Sequence, residues 1–208
     1  MIRIKICGVT REEDALHAAA LGADLIGMVF ARSARRVSVE TAARIGAVLE
    51  EAYPDVARVG VFVDPSPDDL ERAVDESRLT HLQVHGRIPE RLPPGIPWIG
   101  AIALSGPQDV RAPSGDPWAI LVEPRVEGGA GGTGQVFPWE WARDLIARRR
   151  VLIAGGLDAD RAADLLRIMR PYGLDASSRL ESSPGVKDPQ RVRAFIEAVR
   201  RAGVEEGD

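Results

Sequence analysis

Short runs of aliphatic and β-branched residues recur along the chain, and most are followed by a stretch whose apolar side chains return at helical spacing. Eight such runs predict strands over residues 2–7, 25–30, 58–63, 81–85, 98–103, 118–123, 151–154 and 174–177. Helical spacing is clearest over 11–21, 39–51, 67–77, 139–148, 159–169 and 189–202. The helix starts carry capping chemistry. Ser66-Pro67-Asp68-Asp69 supplies a hydroxyl cap, a proline at the first helical position and two acids in the first turn, and Asp188-Pro189 repeats the device. Thr10, Ser38 and Asp158 are expected to cap other helices. Two connections break the rhythm. Residues 87–92 leave room for barely two turns before Pro93-Pro94, and 105–117 is rich in Gly, Pro and Ser without a period.

Strands alternating with helices predict a parallel sheet covered by helices. The chain has 208 residues, and 208/8 = 26 per unit, which suits a closed (β/α)8 barrel (a TIM barrel) near its lower size of roughly 200 residues. We therefore expect an α/β fold, a single barrel domain over 1–204 with short or irregular fourth and fifth crossovers, then a frayed acidic tail, 205–208. A doubly wound open sheet is the competitor. It would bring G-x-G-x-x-G after the first strand, where this chain reads Cys7-Gly8-Val9-Thr10.

Composition narrows the function classes. A formal net charge of −4 argues against a nucleic-acid footprint but leaves room for a small cationic patch. No apolar run reaches the roughly 18–20 residues of a membrane span. The amino end has charges where a signal peptide needs apolar residues. A single cysteine, Cys7, cannot form an intrachain disulfide, so a reducing cytoplasm is the expected setting. Lys5 and Lys187 are the only lysines, which reads as coding bias without functional content. Oligomeric state stays open.

Barrel sites form at the carboxyl ends of strands. This chain places there Cys7, the arginines Arg32, Arg35 and Arg36, Asp64, His85, Glu123, Gly155-Gly156, and Asp175 with Ser177-Ser178. Each has a plain alternative: an inert core thiol, a histidine holding a loop carbonyl, a solvated arginine run. Near arginines and a helix amino terminus, a lowered thiol pKa is expected for Cys7. One of the three arginines suits a carboxylate or phosphate clamp. Glu123 closes the run Ala119-Ile120-Leu121-Val122, where an unpartnered charge is costly. Gly128, Gly129, Gly131, Gly132 and Gly134 predict a mobile loop able to approach an anion. The loops at Gly155-Gly156 and Ser177-Ser178 fall where many barrels hold a phosphate.

Seven blocks carry a resemblance. Lys5-Ile6-Cys7-Gly8-Val9-Thr10, residues 23–30, Val59-Gly60-Val61-Phe62-Val63, Leu82-Gln83-Val84-His85-Gly86, Gly131-Gly132-Thr133-Gly134, Ala154-Gly155-Gly156-Leu157 and Pro184-Gly185-Val186-Lys187-Asp188 resemble the phosphoribosylanthranilate isomerase family of tryptophan biosynthesis. They follow that family's order and spacing from residue 2 to residue 199. The resemblance implies a (β/α)8 barrel and an Amadori rearrangement of a small phosphosugar-anthranilate substrate. It implies neither metal nor organic cofactor, and no nucleic-acid or membrane partner. It further implies Cys7 as general base, Arg35 on the anthranilate carboxylate, His85 and Asp175 along the ribose, and Gly155, Gly156, Ser177 and Ser178 on the phosphate, with Gly131, Gly132 and Gly134 in the mobile loop. Such a base needs an electropositive or hydrogen-bonded sulfur.

Four departures stand out against the family pattern. Glu123 occupies the position of an aspartate general acid, Arg179 replaces the glycine of S-S-G, Pro138 replaces the aspartate of F-D-W, and Ala34 replaces the proline of S-P-R. One extra methylene at Glu123 moves the carboxyl by about 1 Å. Two other readings stay open: a diverged barrel isomerase acting on a related aminoaldose phosphate, and a non-catalytic barrel that binds a phosphosugar.

Overall fold

Eight parallel strands close on themselves in sequence order; the computed structural model describes residues 1–125 and 137–204. The elements are β1 (Arg3–Cys7), α1 (Glu12–Ala20), β2 (Leu25–Val29), α2 (Val39–Ala52), β3 (Ala57–Val63), α3 (Pro67–Ser77), β4 (His81–His85) and β5 (Trp98–Leu104). They continue through β6 (Ala119–Pro124), α4 (Arg143–Ile146), β7 (Val151–Ile153), α5 (Ala159–Ile168), β8 (Gly173–Ala176), the hairpin β9 (Glu181–Ser183) and β10 (Val186–Lys187), and α6 (Pro189–Val204). All eight expected barrel strands are present. The glycines Gly128, Gly129, Gly131, Gly132 and Gly134 and the tail 205–208 lie outside the described residues.

Side chains alternate across each strand, and a closed barrel leaves neither face in water. Ile4 and Ile6 on β1, Ile26 and Met28 on β2, Leu82 on β4, Ile120 and Val122 on β6, and Leu174 on β8 belong to the layer shared with the helices. The opposite set, including Leu25, Val59, Val61, Ile99, Leu121 and Leu152, forms a separate cluster inside the barrel. Each fully buried Leu or Ile contributes roughly 1.5–3 kcal/mol. Towards the carboxyl ends the inward positions turn polar: Lys5 and Cys7 on β1, Gln83 and His85 on β4, Glu123 on β6, Asp175 on β8. The same period of two that fills the core thus aims these side chains at one mouth.

Ser38, Ser66 and Asp158 each accept a hydrogen bond from the third residue of their helix, as their sequence positions imply. Asp188 accepts from the amides of Gln190 and Arg191 at the start of α6. Thr10 does not cap α1; its hydroxyl donates to the Gly185 carbonyl at 2.6 Å, and Arg11 holds the cap position without capping the helix, its guanidinium donating to Asp14 instead. Three acids in the first turn of α1, Glu12, Glu13 and Asp14, complement the helix dipole instead.

The fourth crossover contains no helix, and the fifth holds one 3-10 turn, Pro107–Asp109. The helix expected over 139–148 is instead a 3-10 turn, Trp139–Ala142, followed by α4. Trp139 and Trp141 both pack against the core. Three residues per turn place them about 120° apart, against about 160° in an α-helix, so the tighter turn buries both. Among the described residues no helix is long and apolar enough to cross a membrane.

Candidate active site

A cavity of about 640 Å³ opens at the carboxyl ends of the strands. Its lining brings together Cys7, Arg35, His85, Glu123, Gly155, Gly156, Asp175, Ser177 and Ser178, every expected site residue among those described. Arg32 and Arg36 are exposed and stand outside the lining, so the geometry singles out Arg35. Asp64 also stays out; its carboxylate accepts from the Arg87 amide at 2.6 Å.

On the β1–β8 side, the strand period turns Lys5 and Cys7 the same way. Lys5 is 0% exposed and Cys7 8%. The Lys5 ammonium donates to Asp175 at 3.0 Å, its direct partner in the β1–β8 register. Cys7 faces Gly27 across the β1–β2 pairing. A Cβ on Gly27 would lie 2.8 Å from the Cys7 sulfur and 3.1 Å from the Lys5 nitrogen. Glycine there leaves the slot in which thiol and ammonium sit together.

The expected lowering of the Cys7 thiol is not what the structure shows. Burial pushes it up; Lys5 and Lys187 pull it down while Asp175 pushes it up, and the net shift is upward. Desolvation wins because each nearby cation already has a carboxylate partner. Burial pulls Lys5 down, but Asp175 and the sulfur outweigh it and raise the lysine. Burial likewise raises Asp175 despite its bond to Lys5.

Glu181 at the start of β9 knits the loops together. Its carboxylate accepts from Nε and Nη2 of Arg35, both at 2.8 Å, and from the Lys187 ammonium at 2.8 Å. Burial pushes the Glu181 carboxyl up, but Arg35 and Lys187 outweigh it and hold it below the ordinary value. Burial lowers Lys187. Ser177 donates its hydroxyl to the Cys7 carbonyl at 3.0 Å, so β8 braces the strand that carries the thiol.

Across the mouth, Glu123 accepts from His85 Nδ1 at 3.0 Å, and His85 Nε2 accepts from the Gln83 amide at 2.7 Å. A proton on Nδ1 satisfies both contacts. Gly155 and Gly156 have φ of 100° and 58°, a left-handed turn that frees backbone N–H groups to face an anion. Arg179 also lines the cavity. Its φ is not positive, so the 3-10 turn Ser178–Leu180 carries this arginine without the strain expected of a replaced glycine.

Sequence reasoning missed Lys5, Gln83, Glu181 and Lys187 as site residues. The alternation Ile2-Arg3-Ile4-Lys5-Ile6-Cys7 carried a signal for Lys5, because the polar set of a barrel strand has only the interior to face. Glu181 and Lys187 flank Ser182-Ser183-Pro184-Gly185-Val186, whose Pro-Gly turn makes a hairpin that brings their side chains together.

A closed barrel whose carboxyl rim joins a thiol, a carboxyl–imidazole pair, an arginine and glycine turns is a (β/α)8 barrel of the enzyme type, with its candidate site at that rim. A family model described as N-(5'-phosphoribosyl)anthranilate (PRA) isomerase matches residues 4–198, and the chain belongs to that family of isomerases. An N-(5'-phosphoribosyl)anthranilate isomerase from Pseudomonas paraeruginosa is 42% identical over 99% of this chain and 98% of its own. The crystal structure of a phosphoribosyl anthranilate isomerase from Thermus thermophilus is 37% identical, with TM-score 0.79 over 96% of this chain and 99% of that one. Another solved relative is 30% identical with TM-score 0.80, covering 97% of this chain and 100% of its own. It was determined in complex with reduced 1-(o-carboxyphenylamino)-1-deoxyribulose 5-phosphate.

Proposed function

We propose that this chain carries out the family's rearrangement of N-(5-phosphoribosyl)anthranilate to 1-(2-carboxyphenylamino)-1-deoxyribulose 5-phosphate with Cys7 as base and Glu123 as acid. Glu123 gives a proton to the furanose ring oxygen as the C1–O bond breaks, leaving a Schiff base between C1 and the anthranilate nitrogen. The Cys7 thiolate removes the proton on C2, and the electron pair moves toward nitrogen to give an enolamine. The enol becomes the ketone as its O–H proton leaves and C1 gains a proton. The observation that carries this reading is that Cys7 and Glu123, from β1 and β6, line one cavity at one rim.

Arg35 keeps Nη1 outside its fork with Glu181, and that nitrogen is the donor for the anthranilate carboxylate. Asp175 and His85 line the ribose, and the turns at Gly155-Gly156 and Ser177-Ser178 receive the phosphate. Residues 1–204 act as one barrel unit. A thiol base also needs a reducing compartment, and the cytoplasm supplies one. The test is a turnover assay on freshly made phosphoribosylanthranilate, following loss of anthranilate fluorescence. Faster turnover of a different aminoaldose phosphate, or binding of a product analogue with no turnover, overturns the reading.

A further inference from the structure

We propose that Lys5 is a positioning residue for this reaction: its ammonium, anchored by Asp175, is the counter-ion of the Cys7 thiolate. The inference rests on Cys7 being the base. Lys5 is 0% exposed, and a fully buried ammonium needs a compensating charge and acceptors for its N–H donors. Asp175 at 3.0 Å supplies one. The slot over Gly27 places the sulfur beside the same nitrogen, on the same face of β1.

Composition points the same way. Of 27 lysines and arginines, two are lysines, and both, at 0% and 3% exposed, act on the Cys7 sulfur. A chain that uses arginine everywhere else keeps lysine where a compact three-donor cation fits and a planar five-donor fork does not. These two lysines are therefore part of the site rather than a trace of coding bias.

Counting formal charge sharpens the assignment. The groups facing the sulfur are Lys5 from β1, Asp175 from β8, Lys187 from β10 and Arg35 from the loop after β2, with Glu181 binding the last two. Three cations and two carboxylates leave one positive charge while Cys7 is a thiol, and ionising the thiol cancels it. Glu123 and His85 face Asp175 from across the mouth. Lys5 with Asp175 sums to zero and Lys187, Arg35 and Glu181 to plus one, so the excess charge lies on the Glu181 side; Lys5 is singled out by place, because it shares the slot over Gly27 with the sulfur. Lys5 keeps its proton throughout; no bond to it forms or breaks.

Cys7 is the only cysteine, so the rate of alkylation by iodoacetamide reads this thiolate alone. In folded Lys5→Met the rate near neutral pH falls at least roughly tenfold, and the profile moves to higher pH. Asp175→Asn moves it the other way, toward faster alkylation at lower pH, because the opposing carboxylate is gone. Loosened packing would speed both variants, so opposite signs separate the counter-ion from a structural prop. An unmoved or faster Lys5→Met, with circular dichroism unchanged, overturns the proposal. Where Lys5→Met does not fold, the same measurement on Lys5→Gln decides: an alkylation rate unmoved or faster overturns the proposal. A shift in alkylation with no matching move in the pH profile of kcat leaves the counter-ion standing and overturns Cys7 as base.

Discussion

The two sides of the cavity mouth are built on different physical terms. On the β1–β8 side the thiol sits among five charged side chains, each buried or paired, and locked by hydrogen bonds of 2.8–3.0 Å. On the β4–β6 side, Glu123 has one bond among the described residues, to His85, which leans on Gln83. The contrast teaches that a base and an acid need opposite support. A buried thiol must have its anionic form stabilised in advance, whereas a general acid must hold its proton until the transfer, which removal from water favours.

The strongest test removes one working atom from each side. Cys7→Ala and Glu123→Gln are each expected to lower kcat on the order of 10³-fold while leaving thermal unfolding in place. Full activity in either ends the corresponding assignment. A second substitution attacks the locked network: Glu181→Ala leaves Lys187 and Arg35 without their carboxylate and is expected to cost about 3 kcal/mol in a urea titration at neutral pH. Because Glu181 is held below its ordinary value, its contribution is complete above the usual carboxylate range and is lost as pH falls through that lowered value. The gap between wild type and variant therefore closes in acid; a gap that persists unchanged there refutes the charge explanation.

Smaller effects sharpen the loosely held side and the phosphate turn. Glu123→Asp draws the carboxyl back from His85 by about 1 Å, and kcat is expected to fall roughly 10–100-fold. A gain in kcat would mean that the glutamate is a defect rather than a refitted acid. Arg179→Gly removes an exposed guanidinium from the cavity rim, and KM should rise about fivefold with kcat unchanged, the difference shrinking at high salt. A fall in KM would show that the arginine crowds the site.

Element order, strand positions and most caps were legible in local pattern, because strand period, helix period and capping act over a few residues. Thr10 misled because a tertiary partner, the Gly185 carbonyl, competes for its hydroxyl. Trp139 and Trp141 misled because core packing selects the turn that buries both. Which residues line the cavity was also legible, since polar residues at strand ends converge in a closed barrel. The state of the site was not. Cys7 looks activated beside arginines in sequence, yet in space the arginine that reaches it is held by Glu181, and burial dominates.

By itself, then, the amino-acid order determined an eightfold repeat and the set of side chains delivered to one rim. Tertiary structure alone decided which charges face one another: Lys5 meets Asp175 because β8 closes onto β1, and Arg35 meets Lys187 through Glu181. Periodicity is a short-range property of the backbone. Electrostatics depends on distance and burial, and those exist only once the barrel has closed.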